Sequence, residues 1–214
     1  MKMTNSHHDE MMLNIRILTV TGVLTAMTVV TTMFTQIRIP VTQGYFNLGD
    51  TIILVSAILF GSKVGLFTGA VGAALADIFL GGFIFAPITF IVKGLEGFIV
   101  GKLAKGGLAA ERYQALYRKE MQKERTETED FDKESLKRKK VQWVGKELFI
   151  LVIGTAVMIV GYFLAEAFIL QIFDKSFGIA AAVGELPANF LQGGLSVVLA
   201  RLIVESLRKA RFIR

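Results

Sequence analysis

The sequence predicts an all-α integral membrane protein, a six-transmembrane-helix bundle with its N- and C-termini cytoplasmic. Three observations carry that prediction. Mean hydropathy is +0.55, and 53% of the 214 residues are hydrophobic. Charged residues make up 20% of the chain, against about a quarter in soluble domains. The apolar residues also collect into six stretches parted by Gly, Pro and clustered charge. The chain has no cysteine, which removes disulfides, thiolate metal ligands and a Cys nucleophile from consideration.

The elements follow in order. Residues 1–11 form a polar tail, partly acidic (HHDE), unlike a cleavable signal peptide. His7 and His8 are adjacent but stand alone, so no metal site is expected. The first span runs from about Leu13 to Thr35. Gly22 and Ala26 lie four apart on it, a spacing that lets another helix approach closely in lipid. That partner can be a helix of the same chain or a second subunit, and spacing alone leaves both open. The following loop, QIRIPVTQGYFNLGD, is broken by Pro40, Gly44 and Gly49 and carries Arg38, Tyr45, Asn47 and Asp50. This mixture suits a lid over a pocket.

Leu48 to Phe60 is a short second span, closed by Gly61-Ser62-Lys63. The third runs from Val64 to about Leu80, with Gly65, Gly69, Ala73 and Asp77 at steps of four along one ridge. The fourth runs from Phe83 to about Leu103, with Gly97 and Gly101 four apart. Residues 102–146 are different: thirteen of the 24 Lys and Arg lie there, among eight acids. The 105–146 part reads as a charged cytoplasmic insertion between helices 4 and 5 of a single membrane domain, 1–214. Its KRKK run at 137–140 suits an anionic leaflet, and the interleaved acids argue against nucleic acid as a partner. Two long spans, about Leu148 to Phe173 and Phe177 to Leu207, precede the basic RKARFIR. With the N-terminus inside, the outer loops hold only Arg38 and Lys175 as cations, which satisfies the positive-inside rule.

Within this frame, Asp77, Lys93 and Glu96 interrupt an apolar stretch. A charge at the centre of a membrane helix costs about 2.5–3.5 kcal/mol on insertion scales, so these groups must face one another, a partner helix or water. At about 1.5 Å of rise per residue, Asp50, Asp77, Lys93, Glu96, Glu166 and Glu185 fall in the outer half. Glu185, Asn189 and Gln192 share one face of the last helix at i, i+4 and i+7. Independent ion pairs would not share a depth, so the expected structure is a small-molecule pocket. Lys93 is its one evident cation against five acids, a balance that disfavours a multiply anionic ligand. Tyr45 is a candidate aromatic cover. No phosphate-binding loop, HExxH, GxSxG or Cys/His cluster is present, so neither ATP binding by that device nor hydrolytic catalysis is expected, and no cofactor is called for. A proton-coupled secondary transporter relaying through Asp77, Glu96 or Glu166 is the alternative.

The runs YFNLGDTIILVSAILFGSKVGLFTGAVGAALADIFLGG, APITFIVKGLEGFIVG and GELPANFLQGG resemble the substrate-binding S components of energy-coupling factor (ECF) vitamin transporters. The resemblance implies a non-enzymatic subunit in the cell membrane of a prokaryote that binds a vitamin near the outer face. It further implies assembly with a transmembrane T subunit and two cytoplasmic ATPases. Carried onto this chain, the substrate-facing positions are Tyr45, Asn47, Asp50, Asp77, Lys93, Glu96, Glu185, Asn189 and Gln192, with Glu166 added by its depth. Gly22 and Ala26 would contact the T subunit. Within the family the branch resembles proteins for riboflavin, hydroxymethylpyrimidine or vitamin B6, and the acid-rich pocket favours hydroxymethylpyrimidine or pyridoxine, with riboflavin next.

Overall fold

Glycine lets two helices of the molecule meet backbone to backbone. The computed structural model describes residues 3–38, 45–104 and 133–210, and within them the ridge of small residues on the third predicted span meets the glycines of the fourth. A Cβ added at Gly97 would land on the Gly65 carbonyl, one at Gly69 on the Lys93 carbonyl, and one at Gly101 on the backbone of Gly61 and Ser62. These helices are α3 (Ser62–Phe79) and α4 (Ala86–Leu103). They run antiparallel with backbones in contact, the arrangement small residues permit where lipid supplies no hydrophobic drive. Inside α3 the turn Thr68–Ala73 is π-helical.

The other helices are α1 (Met3–Thr35), α2 (Gly49–Phe60), α5 and α6 (Ile179–Lys209). Helix α5 comprises Lys133–Leu164, a π-helical turn at Ala165–Leu170 and a last turn at Gln171–Phe173. A short antiparallel ladder, β1 (Ile37–Arg38) with β2 (Tyr45–Phe46), lies between α1 and α2. Gly61 and Gly81, at φ of 91° and 82°, close the α2–α3 and α3–α4 turns in a left-handed conformation that other residues adopt at a cost. Pro187 sits inside α6 without ending it. Its missing N–H leaves the Val183 carbonyl without its usual partner.

Helix α1 is two-faced. Thr28 and Thr32 are buried, Thr28 against Gly72 of α3 and Thr32 against Gly49 of α2. Gly22 and Ala26 are exposed on its other side. An apolar core of Leu54, Val100, Leu151, Val197 and Val204 joins α2, α4, α5 and α6 at one end of the bundle. At the other end Phe85, Leu170 and Phe177 cluster, with Phe85 and Phe177 packed edge to face at 5.4 Å. Large apolar side chains such as Phe34, Leu18 and Phe173 face outward, each at least 74% exposed, as a surface in contact with lipid requires.

Among the described residues six helices match the six predicted stretches, and four are long and apolar enough to cross a membrane: Asn14–Thr35, Ser62–Phe79, Val144–Phe173 and Ile179–Arg208. Helix α2 has 12 residues, and α4 carries Lys93, Glu96 and Lys102. Residues 105–132, most of the predicted charged insertion, lie outside the described residues, as do the side chains of His7 and His8. Residues 133–146, with the KRKK run, form the start of α5. At the end of the bundle away from the ladder, Glu147 pairs with Arg208 at 3.0 Å and Arg201 at 3.7 Å.

Candidate functional site

A pocket with about 390 Å³ of free space, part of it open to solvent, lies at the end of the bundle that holds the β ladder and the Phe85–Phe177 cluster. Seven of the predicted residues line it: Tyr45, Asn47, Asp77, Glu166, Glu185, Asn189 and Gln192. Phe85, Thr89 and Tyr162 complete the lining. Sequence reasoning missed these three. Thr89 stands one helical turn before Lys93 on α4, and Tyr162 is an amphipathic residue inside an apolar span, so both carried a signal; Phe85 carried none.

The first wall is a chain of hydroxyls around Asp77, which the α3 ridge delivers to the pocket. Tyr45 donates its hydroxyl hydrogen bond to Asp77. Thr89 hydrogen-bonds the same carboxylate and accepts from the Tyr162 hydroxyl at 2.9 Å. Burial, reinforced by Asp77, holds the Tyr45 phenol well above its ordinary pKa, so it remains a donor at any physiological pH. Asp77 keeps one oxygen, Oδ2, without a protein partner.

The second wall is built on amides. Gln192 Oε1 accepts from the Asn47 backbone N–H at 2.8 Å and from its side-chain amide at 3.3 Å. Gln192 Nε2 donates to Asp50 Oδ2 at 2.9 Å, and Asn47 Oδ1 accepts from the Gly49 N–H at 2.8 Å, closing the start of α2. Asp50, Lys93 and Glu96 lie behind this wall and are absent from the lining. Lys93 pairs with Asp50 and, at 3.3 Å, with Glu96, all three at most 3% exposed. The ammonium also sits 5.4 Å from the centre of the Tyr162 ring, whose hydroxyl reaches the first wall. Lys93 is therefore committed to the protein, and its carbonyl is pressed onto Gly69 by the α3–α4 contact.

The third wall consists of Glu166, from the π-helical turn of α5, with Glu185 and Asn189 from one face of α6. Glu166 is 1% exposed and Glu185 5%. The two carboxyl groups are hydrogen-bonded to each other, and among the described residues no other group donates to Glu166. Among the described residues no group of His, Cys, Asp and Glu could hold a metal ion. Gly22 and Ala26 take no part in the site. They stand on the uncovered face of α1, and a Cβ built at Gly22 meets nothing within 4 Å.

Among the described residues the bundle carries four helices long and apolar enough to cross a membrane, and a polar pocket at one end. The family model described as "ECF-type riboflavin transporter, S component" matches residues 12–118 and 135–209, and the chain belongs to that family. Its fold is that of a solved structure titled "Structure and mechanism of the S component of a bacterial ECF transporter". The similarity has a TM-score of 0.58 and 18% identity, over 92% of this chain and 97% of the other. A Pyrococcus woesei protein, described only as an uncharacterized protein in the gap 3′ region, is 52% identical over 77 residues, which are 36% of this chain. This chain matches about half (51%) of the length of that relative.

Proposed function

We propose that this chain is the substrate-binding subunit of an ECF-type importer, capturing a small B vitamin in the three-walled pocket without transforming it. Membership of the S component family supports the transport role, and the pocket carries the choice of cargo. Three carboxylates line it while Lys93 is spent on Asp50 and Glu96, so the fitting ligand is uncharged or cationic and rich in hydrogen-bond donors. The acids alone favour hydroxymethylpyrimidine or pyridoxine. The aromatic faces of Tyr162 and Phe85, the amides of Asn47, Asn189 and Gln192, and the description of the family support riboflavin as the first candidate, ahead of the other two.

Orientation and partners follow. The positive-inside bias supports cytoplasmic termini, six spans and a pocket that opens outward in the cell membrane of a prokaryote. Membership of the S component family supports energy supplied by a T subunit and two ATPases, and the uncovered stripe Gly22/Ala26 is the surface for the T subunit.

A thermal-shift screen of the purified chain against B vitamins and precursors tests the cargo. A ligand bound only by the folded state stabilises by about 4 kcal/mol at a thousandfold excess over Kd. One strong hit among riboflavin, pyridoxine and hydroxymethylpyrimidine is expected, recovered chemically unchanged. A protein that shifts with none of them, or that converts its ligand, contradicts the proposal.

A further inference from the structure

Residues 45–49 lead from the ladder into α2 and carry two side chains of the pocket lining, Tyr45 and Asn47. Tyr45 ties the segment to Asp77, and the Leu48 N–H ties it to Thr35 Oγ1 at 2.9 Å. The third tie is the side-chain amide of Gln192, and its direction is set twice over. The Asn47 N–H can only donate, so it requires an oxygen, and Gln192 Oε1 lies 2.8 Å away. A carboxylate can only accept, so Asp50 requires the nitrogen, and Nε2 lies 2.9 Å from its Oδ2. Lys93 occupies the other oxygen, Oδ1. The Gln192 oxygen also takes the Asn47 side-chain amide at 3.3 Å, which leaves Asn47 Oδ1 for the Gly49 N–H at 2.8 Å. Asp50, Asn47 and Gln192 are 1%, 7% and 3% exposed, so little water reaches a misdirected bond to repair it.

We infer that Asp50, which lies outside the lining, is a positioning residue for cargo binding: through Gln192 it sets Asn47 and the segment 45–49 at the pocket. The inference rests on the proposed function. What Asp50 supplies to Gln192 is an acceptor in a fixed place, and such a pair has a direction that can be reversed. In D50N, Lys93 keeps the carbonyl oxygen, and the new amide nitrogen meets Gln192 Nε2, donor against donor. Turning the Gln192 amide over only moves the conflict to the Asn47 N–H. Adding Q192E removes it at both ends, since a carboxylate accepts from residue 50 with one oxygen and from Asn47 with the other. The exchange leaves the charge of the pair unchanged.

The test is a riboflavin titration of the full-length chain in lipid nanodiscs, comparing wild type, D50N and D50N/Q192E. Pyridoxine or hydroxymethylpyrimidine takes riboflavin's place if the screen selects it. D50N is expected to bind about tenfold more weakly, the scale of one misdirected buried hydrogen bond, and the double variant to regain most of that loss. Hydrogen exchange at residues 45–49, read by mass spectrometry, should quicken in D50N and slow again in the double variant. Leu151→Ala is the comparator, since it opens the apolar core at the other end of the bundle and destabilises the fold without touching the amide. Its affinity and its exchange at 45–49 should stay as in wild type. Wild-type affinity in D50N overturns the inference and leaves the transport reading intact, as does a double variant no better than D50N. An equal loss of affinity in Leu151→Ala overturns it too, because binding would then merely track stability. Should D50N not fold, Gln192→Met replaces it, deleting both bonds of the amide while Asp50 and Lys93 stay paired; exchange at 45–49 unchanged in that variant overturns the inference. Failure of every vitamin to bind wild type overturns the transport reading and, with it, the role for cargo.

Discussion

The chain writes the same small-residue pattern in two places, and the structure uses it in two ways. Along α3 and α4, Gly65, Gly69, Gly97 and Gly101 are spent on one another, backbone against backbone. On α1, Gly22 and Ala26 are left open, although Thr28 and Thr32 on the reverse of the same helix are tightly packed. The spacing promises a close approach and does not say to what. An internal stripe is recognised because its complement occurs in the same chain at matching register; an external one is recognised by what fails to cover it.

The comparison can be broken from its strongest point downward. Gly97→Leu drives a side chain into the Gly65 carbonyl and should cost more than about 3 kcal/mol, with loss of ligand binding and of a monodisperse detergent-solubilised species. A folded, binding Gly97→Leu protein would mean that α3 and α4 do not touch as described. Lys93→Met, on the same contact, leaves Asp50 and Glu96 without a cation and should cost about 3 kcal/mol in thermal unfolding. Its loss of ligand affinity should follow the loss of fold, since Lys93 does not line the pocket.

Gly72→Ala probes the inner face of α1. The added methyl meets Thr28 at 2.9 Å, so α1 must shift, at about 1 kcal/mol, partly offset by the gain in helix propensity. The smallest effect on stability belongs to the outer face. Gly22→Leu with Ala26→Leu should stay within about 0.5 kcal/mol of wild type and bind vitamin normally, while uptake by cells supplying the partner subunits falls to background. Uptake that survives both leucines would reassign that face to lipid.

Much of the fold was legible because membrane helices announce themselves by composition. The second predicted span, Leu48 to Phe60, differs from α2 by one residue, and the ridge through Gly65, Gly69 and Asp77 predicted both the packing of α3 and the aim of Asp77. The π-helical turns at Thr68–Ala73 and Ala165–Leu170 were not legible, since no residue pattern marks an extra residue per turn. Within the site, shared depth, the polar face of the last helix and the polar loop before α2 together found seven lining residues but could not separate layers. Asp50, Lys93 and Glu96 lie at the level of the pocket, yet one row behind it, because a single cation near two carboxylates satisfies them before any ligand does. Tyr162 was passed over for the opposite reason: its ring reads as core, and only its hydroxyl, bonded to Thr89, turns it toward the site.

Helix α2, with 12 residues, spans about 18 Å of a hydrocarbon layer about 30 Å thick. Nine of its residues are buried, so the shortfall of about 12 Å falls inside the bundle and not at its rim. Asn47, just before the first turn of α2, hydrogen-bonds Gln192 of the long last helix, and both residues line the pocket. A short helix among longer neighbours leaves room at one end of a bundle with no need to spread the helices apart. Lengthening α2 by two turns at its Gly49 end is expected to narrow the pocket that Asn47 and Gln192 line.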